Sequence, residues 1–423
     1  MLGAFVTRII LLFATLIVID GLLAWGLKRM LPASKRKGKS GKRFLWMHFS
    51  FSLLFIAYAI THFLIIRQHY HGYADYRQLF FITGLFILIY LPKLVVLVFI
   101  VAENALLFFL QFLSYLFQNK RHYEFVKRVR KFKLLSWMGY IAGWILFVIC
   151  IYGATVTRTD YQVVEETIKS KRIPPAFDGL RIVHISDAHL GSFFSPGELD
   201  RALDLINEQK PDVIVFTGDM INVEAAEALP YIEKFRRLQA PLGKFAVMGN
   251  HDHDDYMKIS TSDGAGKMDN EKLALYERAM GFTVLRNQHT YLVKGKDSLL
   301  VVGVDSWGLK PFKQYGDLKA SLKGSDQHKY SILLSHIPNH WEMEVQKKTG
   351  LDLTLSGHTH ALQIGVELGH QKFSPVSLLY QNFWGLYREG DQFINVNPGL
   401  GYLGFPGRIG VRPEITVITL KHE

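Results

Sequence analysis

Apolar positions dominate the first 156 residues of the chain, and then their period changes. Four apolar stretches, 4–27, 44–66, 78–101 and 135–156, each reach roughly the 20 residues that a helix needs to cross a bilayer core of about 30 Å. The first has the length of a cleavable signal, but it lacks a basic leading segment and a small-x-small cleavage site, so a retained helix is expected. The third stays apolar to about residue 117 and contains Pro92-Lys93, so two short spans are the alternative to one. From residue 181 short β-rich runs replace the long stretches: RIVHIS (181–186), DVIVF (212–216), KFAVM (244–248), LLVVGV (299–304), SILLS (331–335) and LDLTLS (351–356). Polar segments of helical spacing, such as 196–209 and 224–238, separate the first three. Continuous apolar strands alternating with helices predict a buried α/β sheet. The segment 260–270 reads as a polar loop, and VRPEITVITL (411–420) as a further strand. The expected organisation is a four-span transmembrane domain at 1–156, a linker at 157–179 and a catalytic domain at 180–423.

Charge decides the topology of the apolar part. Residues 1–160 hold 20 Lys/Arg against 5 Asp/Glu, a net of +15, and the remainder holds 29 against 32, a net of −3. A basic nucleic-acid-binding module would carry its charge on the folded domain, so no nucleic-acid partner is expected. The connections 28–43 and 120–133 carry eight and seven Lys/Arg, whereas 67–77 carries two and Asp75. Basic loops face the cytoplasm. Both basic loops do so only if a single span separates Arg77 from Lys120, which gives four spans in the cell membrane and places the catalytic domain outside the cytoplasm. Asp20, Lys93 and Glu103 lie within or near spans, where snorkelling or interhelical pairing is expected. The single cysteine, Cys150, excludes an intrachain disulfide and a thiolate metal site in the C-terminal part.

Metal-ligand residue types follow five of the strands. Asp187 and His189 follow the first as D-A-H, Asp219 the second as T-G-D, and Asn250, His251 and Asp252 the third as G-N-H-D. His336 follows SILLS, and His358 and His360 follow LDLTLS as G-H-T-H. Ligands of open α/β sheets gather at the carboxyl ends of strands. Asp, Asn and His without sulfur describe a mixed nitrogen and oxygen site for divalent cations. One such histidine among 17 is ordinarily a surface or core residue; five blocks in order, each at a strand end, are not coincidence.

The five blocks resemble the pattern of the calcineurin-like metallophosphoesterase superfamily, over about residues 180–420, and HISDAHLG, FTGDMI, VMGNHD, LLSHIP and LSGHTH look like its membrane-linked bacterial branch. The resemblance implies a four-layer αββα sandwich, preceded here by the all-α four-helix transmembrane region, with two divalent metal ions (manganese, iron or zinc). It implies that Asp187, His189 and His360 hold one metal, that Asn250, His336 and His358 hold the other, and that Asp219 bridges them. His251 would face the substrate as general acid or transition-state stabiliser. The implied activity is metal-dependent hydrolysis of a phosphomonoester, phosphodiester or pyrophosphate, with a lipid or envelope precursor as candidate substrate. A non-catalytic membrane sensor retaining the metal site is the competing reading. A transporter fits poorly, because the four stretches offer no polar pathway.

Two positions depart from the family pattern. Asn222 stands where a second Asp often orients the G-N-H histidine, and Ala361-Leu362 stand where the branch often has two glycines. Around these blocks, His184 is expected to be buried, His253, Asp254 and Asp255 to start a solvated helix, and His340 and Trp341 to line the pocket. Asn397, Gly399 and Gly401 suggest a tight loop near the site. The apolar run with Phe373, Leu378, Leu379, Tyr380, Phe383, Trp384 and Tyr387 is either core or a surface facing lipid.

Overall fold

The computed structural model describes residues 2–30, 39–68, 73–118, 121, 123–127, 133–253, 269–310, 312–369 and 371–423. Asp254, Asp255 and nearly all of the expected loop 260–270 lie outside the described residues, as do much of the connections 28–43, 67–77 and 120–133. The chain divides into two compact units, Met1–His69 with Phe81–Ile151, and Tyr70–Phe80 with Tyr152–Glu423.

The first unit contains the helices α1 (Leu2–Met30) and α2 (Lys39–Gln68) and most of α3 (Tyr73–Leu116) and α4 (Leu134–Thr155). Among the described residues, Arg77–Leu116 and Leu134–Thr159 are the two helices long and apolar enough to cross a membrane. Helix α3 continues unbroken through Pro92, and at 1.5 Å per residue its 44 residues extend about 66 Å. The apolar tail beyond residue 101 therefore prolongs the same helix rather than forming a separate segment. Small residues bring the helices together: a Cβ on Gly26 would meet Ile100 Cδ1 at 2.6 Å, and one on Gly143 would meet Val96 Cγ2 at 2.6 Å. Asp20, Lys93 and Glu103 all have polar partners within these helices. Lys93 Nζ lies 2.7 Å from Asp20 Oδ1 and donates to Ser52 Oγ at 2.7 Å, while Tyr90 donates to Asp20 Oδ2 at 3.2 Å. Ser136 likewise donates to Glu103. An unpaired charge in an apolar interior is far costlier than one so satisfied.

The second unit is built on two six-stranded mixed sheets. One sheet orders its strands as β1 (Gln162–Ser170), β14 (Glu414–His422), β2 (Arg181–Ile185), β3 (Val213–Phe216), β4 (Lys244–Ala246) and β5 (Thr283–Val284). The other runs β12 (Gly385–Glu389), β13 (Gln392–Val396), β9 (Leu353–Ser356), β8 (Ser331–Leu334), β7 (Asp297–Gly303) and β6 (Gln288–Lys294). A separate hairpin joins β10 (Val366–Leu368) to β11 (Gln371–Phe373). Val213, Val215 and Phe245 of the first sheet share one buried cluster with Leu299, Val301 and Leu353 of the second. The opposite faces carry their own cores: Ile214 and Phe216 with Leu203 and Phe235, and Leu300 and Val302 with Trp341 and Val345. Buried on both faces, these strands have the continuous apolar sequence that marked them out.

The expected linker 157–179 contains β1, which pairs in parallel with β14 over nine residues, from Gln162↔Glu414 to Ser170↔His422. Removing β1 exposes the unpaired edge of β14, and an unpaired edge invites intermolecular pairing. A fragment beginning at residue 157 should therefore be recovered soluble and monodisperse, whereas one beginning at 180 should precipitate. Size-exclusion recovery from parallel expressions tests the difference, and equal recovery would contradict it.

Candidate metal centre

Strands β2, β3 and β4 run parallel, as do β7, β8 and β9, so each sheet presents several carboxyl ends along one edge. Asp187 and His189 follow β2, Asp219 follows β3, Asn250 and His251 follow β4, His336 follows β8, and His358 and His360 follow β9. The loops must turn sharply to bring these side chains together, and the backbone records it. Asp187, His189, Asp219, His358 and His360 all adopt left-handed φ, between 45° and 71°. That conformation costs an L-residue roughly 1–2 kcal/mol, and such outliers concentrate at functional sites. Gly218, at φ 94°, lets two of the loops touch, since a Cβ there would meet Gly249 N at 2.4 Å.

Two buried clusters result, Asp187 with His189 and His360, and Asp219 with His336 and His358; within each, the ligand atoms lie within 4.8 Å of one another. In the first, His189 Nε2 and His360 Nε2 are 3.0 Å apart and His360 Nε2 is 3.2 Å from Asp187 Oδ1. In the second, His336 Nε2 lies 3.1 Å from Asp219 Oδ2 and 3.3 Å from His358 Nδ1. Asp219 Oδ2 is also 3.8 Å from His189 Nε2, so this one carboxylate faces both clusters. Asn250 is buried in the neighbouring turn, where the next N–H, that of His251, donates to Asp219 Oδ1 at 2.8 Å. Imidazole nitrogens and carboxylate oxygens converging on a common point, without sulfur, are a donor set suited to divalent cations such as manganese, iron or zinc.

The electrostatics fit cation binding. Burial alone would raise the Asp187 carboxyl, yet the neighbouring imidazoles, His360 foremost, hold it below its usual range. Burial would lower His336, but the adjoining Asp219 carboxylate raises it to about 9. Burial pushes His189 well down and His358 down to about 3, and neighbouring histidines add to both effects.

Other groups fix these side chains in place. Thr217 O accepts from His336 Nδ1 at 2.8 Å, and Tyr380 OH lies 2.8 Å from His358 Nε2. The Asp252 carboxylate accepts from the main-chain N–H groups of Asp219, Met220, Ile221 and Gly249 at 2.7–3.2 Å. Glu227 does the same for Gly191, Asn222, Val223 and Glu224 at 2.7–3.1 Å. Sequence reasoning named Asp252 only as a ligand-type residue of G-N-H-D and Tyr380 only as part of an apolar run, and it gave Glu227 no role. Asp252 is the last letter of G-N-H-D and carries a signal in that motif; Glu227 lies in no motif. His251 is held through its Nδ1, 2.8 Å from the main-chain oxygen of Asn222, while the Asn222 side chain accepts from Ser192 Oγ at 3.2 Å. The orienting acceptor is thus a backbone carbonyl, and the missing second aspartate does not leave the ring unsupported.

The remaining candidates sort by burial. His184 is fully buried: Asn395 donates to its Nδ1 at 2.9 Å, and its Nε2 donates to Thr217 Oγ1 at 2.9 Å. His253 is not solvated, and Asp254 and Asp255 lie outside the described residues. The His253 ring is buried, pairs with Asp305 Oδ1 at 2.8 Å and stacks on Tyr315 with ring centroids 3.8 Å apart. His340 and Trp341 are also buried; His340 stacks on Trp307 and bonds Ser335 Oγ at 2.8 Å. The loop after Asn397 docks beside the first cluster, with Leu400 N donating to Ser186 O at 2.9 Å and Gly401 N to Asp187 O at 2.8 Å. Arg408, entirely buried, donates to the carbonyls of Pro398, Gly399 and Gly401 and holds that loop from beneath. Ala361 and Leu362 both take left-handed φ, 47° and 51°, the conformation that glycine adopts without strain.

A profile of the family described as calcineurin-like phosphoesterase matches residues 180–362. A second, described as the transmembrane domain of a probable calcineurin-like phosphoesterase, matches residues 7–158. The chain is 37% identical to the uncharacterized metallophosphoesterase YkuE of Bacillus subtilis (strain 168), over 62% of this chain and 85% of that one. It is 31% identical to a transmembrane protein with metallophosphoesterase domain of Danio rerio, over 65% of this chain and 60% of that one. With the protein of the same description from Bos taurus it shares 28% identity over 81% of this chain and 77% of that one.

The His336–Asp219 pair predicts how cation binding depends on pH. With its pKa raised to about 9, His336 is protonated below that pH, and a cation must expel the proton to reach Nε2. Apparent affinity for manganese should therefore climb as pH rises from about 6 toward 9, with net proton release. Calorimetry in buffers of different ionisation enthalpy reads that proton directly; an affinity independent of pH would contradict the assignment.

Proposed function

Because the chain belongs to the calcineurin-like phosphoesterases, as a metal-dependent phosphoric ester hydrolase with a transmembrane domain, we propose that its reaction runs at a binuclear centre shared through Asp219. Asp187, His189 and His360 would hold one divalent cation, and Asn250, His336 and His358 the other. The observation that carries this reading is Asp219 Oδ2, at 3.8 Å from His189 Nε2 and 3.1 Å from His336 Nε2. When bound, two such cations supply Lewis acidity toward phosphoryl oxygens and a nucleophile at neutral pH. His251 is the proton carrier. Its Nδ1 donates to the Asn222 carbonyl, its ring stands 5.0 Å from that of His189, and in the protonated ring Nε2 carries the proton that passes to the leaving oxygen. Its partial exposure, beside fully buried His189 and His336, suits a group that meets substrate rather than metal. The layering supported by the shared inner core and the two outer cores is the αββα sandwich.

The substrate is a phosphomonoester, phosphodiester or pyrophosphate, and the membrane domain favours one held in or near a bilayer, such as a lipid or envelope precursor. Four spans with the catalytic domain outside the cytoplasm accord with eight and seven Lys/Arg in the two basic connections, and with the near-neutral charge beyond residue 160.

Purified full-length protein should hydrolyse simple phosphoesters with added manganese. Asp219→Asn should lower kcat by at least about 10³-fold with loss of bound metal by elemental analysis. His251→Ala should lower kcat by about 10²–10⁴-fold while both metals are retained. Wild type inert with manganese, iron and zinc alike, or Asp219→Asn fully active, would reject the binuclear reading.

A further inference from the structure

The rim beside the second cluster turns large apolar side chains to the solvent. In the β10–β11 hairpin, Val366 pairs with Phe373, Leu368 with Gln371, and Glu367 with Lys372. Alternation puts Val366, Leu368 and Phe373 on one face and the ionic pair on the other. Lys372 Nζ folds back over the ring of buried Trp384, 4.7 Å from its centroid, and lies 3.9 Å from Glu367 Oε1. The three apolar side chains take the solvent side. Leu362, Leu378 and Leu379 extend the same surface, and the six residues are between 46% and 88% exposed. Scattered exposed leucines need no explanation, but six exposed apolar side chains, with Lys372 drawn back over Trp384 and Glu367 left at the surface, mark an interaction site. The apolar run read from sequence as either core or lipid-facing surface divides: Phe383 and Trp384 are buried, and Phe373, Leu378 and Leu379 are exposed.

This surface is continuous with the metal centre. Leu378 and Leu379 directly precede Tyr380, whose hydroxyl lies 2.8 Å from His358 Nε2, and Leu362 follows His360 by two residues. On the other side of His358, the Phe312 ring stands edge-on at 5.0 Å. From Phe373 to Tyr387 there is no Asp, Glu, Lys or Arg, so this part of the rim offers no charge to a second anionic or cationic group of the substrate. The chain also carries its own tether to a bilayer, with six residues between the end of α4 and the start of β1.

We propose that the Leu362–Leu379 rim receives the hydrocarbon chain of a lipid phosphoester whose phosphate enters the metal centre. The assignment rests on the phosphoesterase reading and narrows its substrate class to esters with a long apolar substituent. Each buried methylene favours binding, so discrimination by chain length follows.

The test uses full-length protein in phosphatidylcholine nanodiscs, loaded with manganese, and two non-hydrolysable probes, ethylphosphonate and dodecylphosphonate. Calorimetry should give wild type at least tenfold tighter binding of the dodecyl probe, beyond its partition into empty nanodiscs. The triple variant Val366→Ser, Leu368→Ser, Phe373→Ser should lose most of that ratio. So should Leu378→Ser, at the most exposed position, where little packing is lost. An unchanged ratio in both variants, or no chain-length preference in wild type, would overturn the proposal. So would a change in oligomeric mass in the variants without a change in the ratio, which would give the face to a second copy. Turnover of 4-nitrophenyl phosphate and of bis(4-nitrophenyl) phosphate separates the two readings. Turnover without chain-length preference leaves the hydrolase standing and removes the lipid; chain-length preference without turnover of any ester does the reverse.

Discussion

The carboxylate of Asp252 is the constraint on which the site depends. It gathers the N–H groups of Gly249, Asp219, Met220 and Ile221, which belong to two loops leaving neighbouring strands. Those donors cannot reach water, and a buried donor left unmade costs about 1–3 kcal/mol. Asp219 therefore keeps its left-handed turn and its carboxylate remains between the two clusters, where neither ligand pairing alone would hold it. Glu227 repeats the device one loop away, tying Gly191 to the Asn222 segment, and through the Asn222 carbonyl it also steadies His251. Two acidic side chains that touch no ligand atom thus set the geometry of those that do.

The strain at the ligand positions has the same logic. Five non-glycine residues in the left-handed region would not persist in a loosely packed edge, and here the two sheets, the Asn397–Gly401 loop and buried Arg408 confine them. A centre so preorganised spends little free energy on rearrangement when cations arrive. Ala361 and Leu362 show that the confinement extends past the ligands, since they take a glycine conformation without being glycine.

The gathering of Asp187, Asp219 and the four clustered histidines was legible because each follows an apolar run at fixed spacing, and parallel strands guarantee that such positions share an edge. Strands β2, β3, β8 and β9 were legible for the same reason. Strand β1 was not: QVVEETIKS is half-exposed, carries two adjacent glutamates, and becomes a strand only because β14 lies beside it. Strands β10 and β11 are three residues each and exposed, so no burial pattern announces them. The support given by Asp252, Glu227 and the Asn222 carbonyl involves main-chain partners, which a sequence does not display. His253, His340 and Trp341 were misplaced because a polar or aromatic residue beside a motif suggests solvent or substrate, while ring stacking and a carboxylate partner bury the two histidines and apolar packing buries Trp341.

The pairing of Gln162 with Glu414 carries a further consequence, for the order of events during biosynthesis. The first strand to emerge after the last membrane helix has as its partner a segment synthesised some 250 residues later. At roughly 5–20 residues per second, that is an interval of about ten seconds or more in which β1 waits unpaired. The sheet that aligns Asp187 and Asp219 cannot close until β14 arrives. Cations captured earlier would meet separate loops rather than a centre, so loading belongs after translation.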